Sequence, residues 1–268
     1  MAWLRDQPDR SDLVVAAYYD DPLLEAAERY RSGEEWSEVR RRLGEGAGRS
    51  ALDIGAGRGI ASYALARDGF AVTALEPDPS SLVGAAAIRA LSEEAGLDLR
   101  VVEEFSERLP FEDATFEVVF ARAVLHHTSD LRQACQEFFR VLKPGGRFVA
   151  VREHVISHKD HLPAFFEIHP LHRFYGGENA FLLQEYRDAL LGAGFQLTEE
   201  LSPLESPINF APMSLADLKD EITIRLGRPG RLARPLFELP GLWPLARAAL
   251  GMVDHRPGRL YSFVCDKP

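Results

Sequence analysis

Between residues 50 and 151 the hydrophobic pattern changes period repeatedly. Short, nearly continuous apolar runs fall at Ser50–Ile54, Ala71–Leu75, 99–102, 116–121 and 147–151. Each reads as a strand buried on both faces. Stretches of helical period separate them: 60–68, closed by Gly69; a segment opened by Pro79-Ser80 and running to Ala90 or Glu94; and 130–142. Lys143-Pro144-Gly145-Gly146 reads as a tight turn, because proline fixes φ and glycine accepts positive φ. The alternation predicts an α/β fold, a doubly wound and mostly parallel sheet with right-handed crossovers.

The flanks follow other patterns. Residues 11–43 are helical and amphipathic, with Ser11 or Asp12 as a first cap and Pro22 at the first position of a second helix. Trp36 is expected to pack on the sheet, while Tyr18, Tyr19 and Arg31 either pack there or roof a ligand pocket. Residues 180–191 predict a helix, and Gly192-Ala193-Gly194 ends it before a sixth strand at 195–198. A seventh strand is expected at 260–265. The 58 residues between, 202–259, are long for a loop and carry apolar helical pieces at Leu215–Leu226 and 242–252. The organisation read from this is an N-terminal helical cap (1–46), a sheet domain (47–201 and 260–268) and a helical insertion (202–259). The sheet domain includes an acceptor-side lid at 152–182. The insertion serves as substrate cover or interface.

The first strand carries the chemistry. It runs Ala51-Leu52-Asp53-Ile54 into Gly55-Ala56-Gly57-Arg58-Gly59-Ile60. Glycines at alternate positions allow a tight turn and a close ligand approach. A dinucleotide fingerprint needs glycine at its sixth position, where this chain has Ile60, and Asp53 would repel a pyrophosphate. The same carboxylate attracts an ammonium group. That suits S-adenosylmethionine, which is cationic at nitrogen and sulfur and has no phosphate. Glu76 ends the second strand about 20 residues on, where an acidic residue accepts ribose hydroxyls.

Composition narrows the class. A hydrophobic fraction of 46% supports a core, and a net charge of −10 disfavours broad contact with nucleic acid. Cys135 and Cys265 are far apart and form no metal or redox motif. The charged start lacks an apolar segment, and no apolar run reaches about 18 residues. The expectation is a cytoplasmic protein with no membrane or nucleic-acid partner; a homodimer is allowed.

Three segments together resemble the class I S-adenosylmethionine-dependent methyltransferases: Leu52-Asp53-Ile54-Gly55-Ala56-Gly57-Arg58-Gly59, then Leu109-Pro110-Phe111 with Phe116-Glu117-Val118-Val119, and Arg140-Val141-Leu142-Lys143-Pro144-Gly145-Gly146-Arg147-Phe148. The resemblance covers roughly 50–151. It implies a Rossmann-like, seven-stranded sheet whose last two strands form a hairpin, strand seven running antiparallel. It implies that Asp53, Gly55, Ala56 and Gly57 hold the methionine part of the cofactor, that Glu76 takes the ribose, and that Pro77 and Asp78 flank the adenine. The adenine's amino group often meets an aspartate at the position of Phe105, so Glu104, Phe105 and Ser106 are the adenine candidates here. Ala121, Arg122 and Ala123 match the methionine side. Lys143 to Gly146 match a structural turn.

Residues 152–182 hold His154, His158, His161, His169 and His172, with Arg152, Glu153, Glu167, Arg173 and Tyr175. His158 and His161 with Glu167 tempt a metal reading, but Pro163 and Pro170 interrupt a long helix and no H-E-x-x-H is present. The segment reads as a lid without a metal. A histidine here is placed to act as general base, His154 first, then His169 and His172, while each taken singly reads first as a hydrogen-bonded loop histidine. His126 and His127 follow strand four near the expected methyl position, and His126 completes the set. Glu178 or Asn179 reads as a helix cap. The arginines of 202–259 either bind an anionic acceptor or, the favoured reading, form a solvated surface. The function read is methyl transfer from S-adenosylmethionine to a small molecule, at oxygen, with a histidine base. Set against it are a cofactor-dependent rearrangement without methyl transfer, a nicotinamide oxidoreductase and a non-catalytic binding protein.

Overall fold

The computed structural model describes residues 2–169, 172, 177–239 and 241–268. Its centre is one eight-stranded sheet in the order β3-β2-β1-β4-β5-β8-β7, with β6 paired to the far end of β5. The strands are β1 (Ser50–Ile54), β2 (Ala71–Leu75), β3 (Arg100–Val102), β4 (Phe116–Arg122), β5 (Leu142–Ile156), β6 (Phe181–Leu182), β7 (Gln196–Leu201) and β8 (Arg259–Asp266). All pairs are parallel except those made by β8. The extra strand beyond seven is the two-residue β6, too short to leave a periodic signal. Strand order reverses between β1 and β4, so the crevice of the sheet opens beyond the ends of those two strands.

Side chains of successive strand residues go to opposite faces. On one face Ala51, Val118, Phe120 and Val149 join Tyr30, Trp36, Leu65 and Ile88. These come from the helices Leu23–Ser32, Glu34–Leu43, Ile60–Arg67 and Ala85–Ala95. On the other, Leu52, Val119 and Phe148 join Phe138 and Leu190, from the helices Leu131–Val141 and Leu183–Ala193. Trp36 is buried edge-on against Phe120, and its indole N–H donates to Asp68 at 2.8 Å.

Several elements depart from the expectations. The helix after β2 starts at Ala85, because the chain turns through Asp78, Pro79 and Ser80 first; Ser80 N–H donates to the Asp78 carboxylate at 2.8 Å. Lys143 to Gly146 do not separate helix from strand. They lie within β5, at an irregularity where pairing jumps from Phe116 opposite Leu142 to Val118 opposite Arg147. β5 also runs on to Ile156, which places Arg152, Glu153 and His154 in the sheet rather than in a lid. Pro22 precedes the helix Leu23–Ser32, and Arg10 precedes the helix Ser11–Ala16, neither with a side-chain cap. Arg31 pairs with Asp68 at 2.7 Å, away from the crevice.

One irregularity shapes the site. Against β8, Ala150 pairs with Phe263 but Glu153 with Tyr261, so β5 carries one extra residue. At this bulge Arg152 takes φ +62°, a left-handed conformation that strains a non-glycine residue. Its N–H donates to the Ser262 hydroxyl at 3.1 Å. Bulges re-aim side chains beside active sites, and this one turns the Arg152 guanidinium into the crevice.

Among the described residues no helix is long and apolar enough to cross a membrane. The insertion holds the helices Pro207–Phe210, Leu215–Leu226, Arg228–Ala233 and Leu242–Val253. Four of its seven arginines pair with carboxylates of the insertion itself: Arg225 with Glu221, Arg234 with Asp220 and Glu238, Arg247 with Glu205, Arg256 with Asp254. Trp243 stands edge-on to Phe237, with the Lys219 ammonium over its ring at 5.6 Å.

Candidate active site

A cavity of about 570 Å³ opens beyond the ends of β1 and β4, within the size range of small-molecule sites. Asp53, Gly55, Ala56, Gly57, Glu76, Pro77 and Asp78 form one end of it. Asp53 is buried, and its carboxylate accepts from the Ser62 hydroxyl at 2.5 Å. Burial pushes its pKa up to about 7; the Ser62 hydrogen bond opposes that rise and the Glu76 charge adds to it. Glu76 is raised as well, chiefly by burial, against N–H donation from Asp78 at 3.0 Å and Gly57 at 2.7 Å. Neither carboxylate has a cationic partner within ion-pair distance among the described residues. A Cβ on Gly57 would meet nothing within 4 Å, so the backbone here lies open to a ligand. Two buried acids and a bare backbone fit a cationic nucleoside without phosphate.

Gly55 sits at φ +59°, and a Cβ there would come within 2.8 Å of Val124. Gly55→Ala is therefore expected to push the β4 loop outward. We expect the KM for the cofactor to rise about tenfold with little change in kcat, read from initial rates at varied cofactor.

The middle of the cavity is basic. Arg122, at the end of β4, makes a bidentate pair with the buried Glu35, at 2.6 and 3.1 Å. Burial opposes the Arg122 charge, and Glu35 more than offsets this, so its pKa lies above the arginine norm. Arg152 reaches the same carboxylate at 3.7 Å and donates to the carbonyls of Ile208 and Ala211. Two guanidinium groups thus share one carboxylate, leaving one positive charge over. Tyr18 and Tyr19 line this part, with Arg122 over the Tyr18 ring at 5.4 Å.

The far wall is histidine. His126 Nδ1 lies 2.7 Å from a Glu153 oxygen, and Glu153 also accepts the backbone N–H groups of Val124 and His126 at 3.1 Å. His126 Nε2 faces Glu178 at 3.5 Å. Burial disfavours the imidazolium, but the two carboxylates raise the His126 pKa to about 9, and the histidines pull Glu178 down to about 2 despite its burial. His154 Nδ1 donates to the Gly258 carbonyl at 3.1 Å, and its Nε2 lies 3.2 Å from His169 Nε2. Burial holds both of these imidazoles below the usual histidine range, the neighbouring His126 charge adding to it.

Not every predicted residue reaches this cavity. Glu104, Phe105 and Ser106 line a smaller hollow of about 110 Å³ that shares Gly55, Pro77, Val124 and His127 with it. The Phe105 ring is largely exposed, at 69%. Ala121 is buried in β4 and does not line the cavity. His172 stacks on Phe166 outside it, its backbone N–H 3.3 Å from His169 Nδ1. His158 and His161 pair with each other at 5.2 Å between ring centres, also outside, and Glu167 does not join them. Arg173 and Tyr175 lie outside the described residues. Glu178 joins the histidines, whereas the helix that it was expected to cap begins at Leu183. Glu35, Glu153 and Glu178 were missed as site residues, since an acidic residue on a helix, at a strand end or in a loop carries no local sign of burial.

A second cavity of about 700 Å³ adjoins the first and shares Arg152, Pro212 and Leu260 with it. The insertion walls it with Phe210, Met213, Leu218, Ile222 and Leu250.

Residues 52–150 match the family model described as a methyltransferase domain. The uncharacterised methyltransferase YodH of Bacillus subtilis is 32% identical over 171 residues, covering 64% of this chain and 70% of that protein. The O-methyltransferase resE of Aspergillus sclerotiorum is 29% identical over 192 residues, 69% of each chain. A solved geranyl diphosphate methyltransferase bound to S-adenosylmethionine superposes with a TM-score of 0.62 at 18% identity, covering 94% of both chains, and so shares the fold. The chain belongs to the class I S-adenosylmethionine-dependent methyltransferases.

Proposed function

We propose that the protein methylates an oxygen of a small molecule with an apolar body. S-adenosylmethionine supplies an electrophilic methyl on a sulfonium, and the chain's own residues do the rest. Asp53 is placed to face the ammonium group and Glu76 the ribose hydroxyls. Arg152, with its share of surplus charge, is placed for the methionine carboxylate or for an anionic acceptor. The adjoining apolar cavity of about 700 Å³ takes the acceptor's body, which enters past Arg152, Pro212 and Leu260. The chain's task is then to hold the acceptor oxygen in line with sulfur and methyl.

The observation that carries this reading is the histidine wall opposite the acidic end of one cavity. His126 has a carboxylate facing each ring nitrogen and does not suit a base. His154 is fixed by the Gly258 carbonyl and wedged among the rings of His126, Phe165 and His169. His169 lines the cavity; among the described residues its Nε2 has only the His154 imidazole nitrogen within hydrogen-bond distance, and in the tautomer that carries the proton on Nδ1 this Nε2 is bare and open to a proton from the cavity. We assign it the acceptor's proton. The test uses methyl-labelled S-adenosylmethionine with phenols, hydroxylated polyketides and sugars. Label on oxygen and equimolar S-adenosylhomocysteine are expected. His169→Ala should lower turnover about a hundredfold while cofactor affinity by calorimetry is unchanged. Label on nitrogen or carbon, or full turnover in the variant, contradicts the assignment. A converted acceptor without S-adenosylhomocysteine would instead favour rearrangement.

A further inference from the structure

The histidine wall is more than a base needs. His126, His154 and Glu178 each offer one ligand atom, all within 4.8 Å of one another, and His126 Nε2 and a Glu178 carboxylate oxygen are 3.5 Å apart. The three come from different parts of the chain: the loop after β4, the strand β5, and the segment before β6. We propose that they bind a divalent transition-metal ion on the acceptor side of the cavity. The inference rests on the reading of this wall as the acceptor face.

Spacing, ring orientation and the donor set support such a site. Metal–nitrogen bonds of about 2.0–2.1 Å put tetrahedral donors roughly 3.4 Å apart. The His126–Glu178 separation already matches, and side-chain rotation closes the rest. The second is orientation. A ligating histidine ordinarily donates its other ring N–H to a carboxylate or a backbone carbonyl, which fixes the ring and the tautomer. His126 gives Nδ1–H to Glu153, a fully buried carboxylate that is itself held by two backbone N–H groups. His154 gives Nδ1–H to the Gly258 carbonyl. Both rings therefore aim Nε2 at the shared point. The third is the donor set. Two imidazoles and one carboxylate select zinc, cobalt, manganese or iron over magnesium and calcium, which prefer oxygen. Three protein ligands leave a position open, as catalytic rather than structural sites do. All three residues line the cavity, so that position faces it. An acceptor hydroxyl bound there would be acidified by the ion. His169 Nε2, 3.2 Å from His154 Nε2, stands beside it and keeps the role assigned above.

The site differs from the one that spacing alone offered. His158, His161 and Glu167 lie close in sequence but apart from the cavity, and they serve as an internal control. The experiment uses untagged full-length protein, stripped with chelator and dialysed against Zn²⁺ or Co²⁺. One ion per chain is expected, with visible cobalt bands of a nitrogen–oxygen site of low coordination number. His154→Ala and Glu178→Gln should lose the stoichiometric ion, and Glu153→Gln should weaken it roughly 10- to 100-fold. The double variant His158→Ala/His161→Ala should bind as the wild type does. Wild-type protein that takes up no stoichiometric ion overturns the proposal, whatever the variants do. So does a control variant that loses the ion while His154→Ala keeps it. Cofactor calorimetry on the same samples is independent, so a failed metal site leaves the methyltransferase reading standing.

Discussion

Glu35→Ala should cost the protein about 3–5 kcal/mol of stability, the usual price of stripping one partner from a buried ion pair. Glu35 is 2% exposed, yet it neutralises Arg122 at 2.6 Å and reaches Arg152 at 3.7 Å. Removing it leaves two guanidinium groups in one crevice with no counter-charge. The expected drop in melting midpoint is on the order of 10 °C. Loss of the carboxylate and loss of packing can be told apart. Glu35→Gln keeps the shape and some hydrogen bonding, and should still cost most of the stability. The pair Glu35→Met with Arg122→Leu should recover much of it, because both charges leave together. A Glu35→Ala stability within about 1 kcal/mol of wild type would mean that water already screens the network.

Cofactor affinity should follow the ionisation of Asp53. In the free protein burial holds that carboxyl at about 7. A bound ammonium favours the charged form, so its pKa falls on binding. Binding then requires loss of a proton below that value and none above it. Affinity should rise up to about tenfold per pH unit as pH approaches 7, then level off. Asp53→Asn should weaken binding by about 2–5 kcal/mol and flatten this dependence. Calorimetry at pH 6, 7 and 8 on both proteins checks the slope; equal slopes would remove Asp53 from the ammonium site. The same burial acts on stability with the opposite sense. The folded state holds its proton up to about 7, the unfolded chain only to about 3.8. Asp53 therefore lowers stability progressively as pH rises through that window, and the cofactor offsets the loss.

The two ends of the cavity differed in how far they were legible in the sequence. Asp53, the glycines and Glu76 lie within 24 residues, and each has a local cause that a sequence carries: a strand end, a positive φ, the end of the next strand. The alternation that marks β1 to β5 is local too. The histidine wall is not. His126, Glu153 and Glu178 meet only because β4 and β5 are neighbours and the chain returns to β5 at β6. Five histidines in one segment looked like a unit, but the fold divides them. His154 and His169 enter the cavity, and His158, His161 and His172 stay out. A bulge decides where Arg152 goes, and a bulge has no spelling in residues that are not glycine. Nothing local in the sequence sets Glu35 apart, since Glu34 beside it is the same residue type on a different face of the helix.

A crystal structure with S-adenosylhomocysteine tests the central claim most directly. The account predicts the ribose hydroxyls on Glu76, the amino group on Asp53, and the sulfur turned toward His126, His154 and His169. A nucleoside seated in the apolar cavity of the insertion, or a sulfur facing away from the histidines, would contradict it.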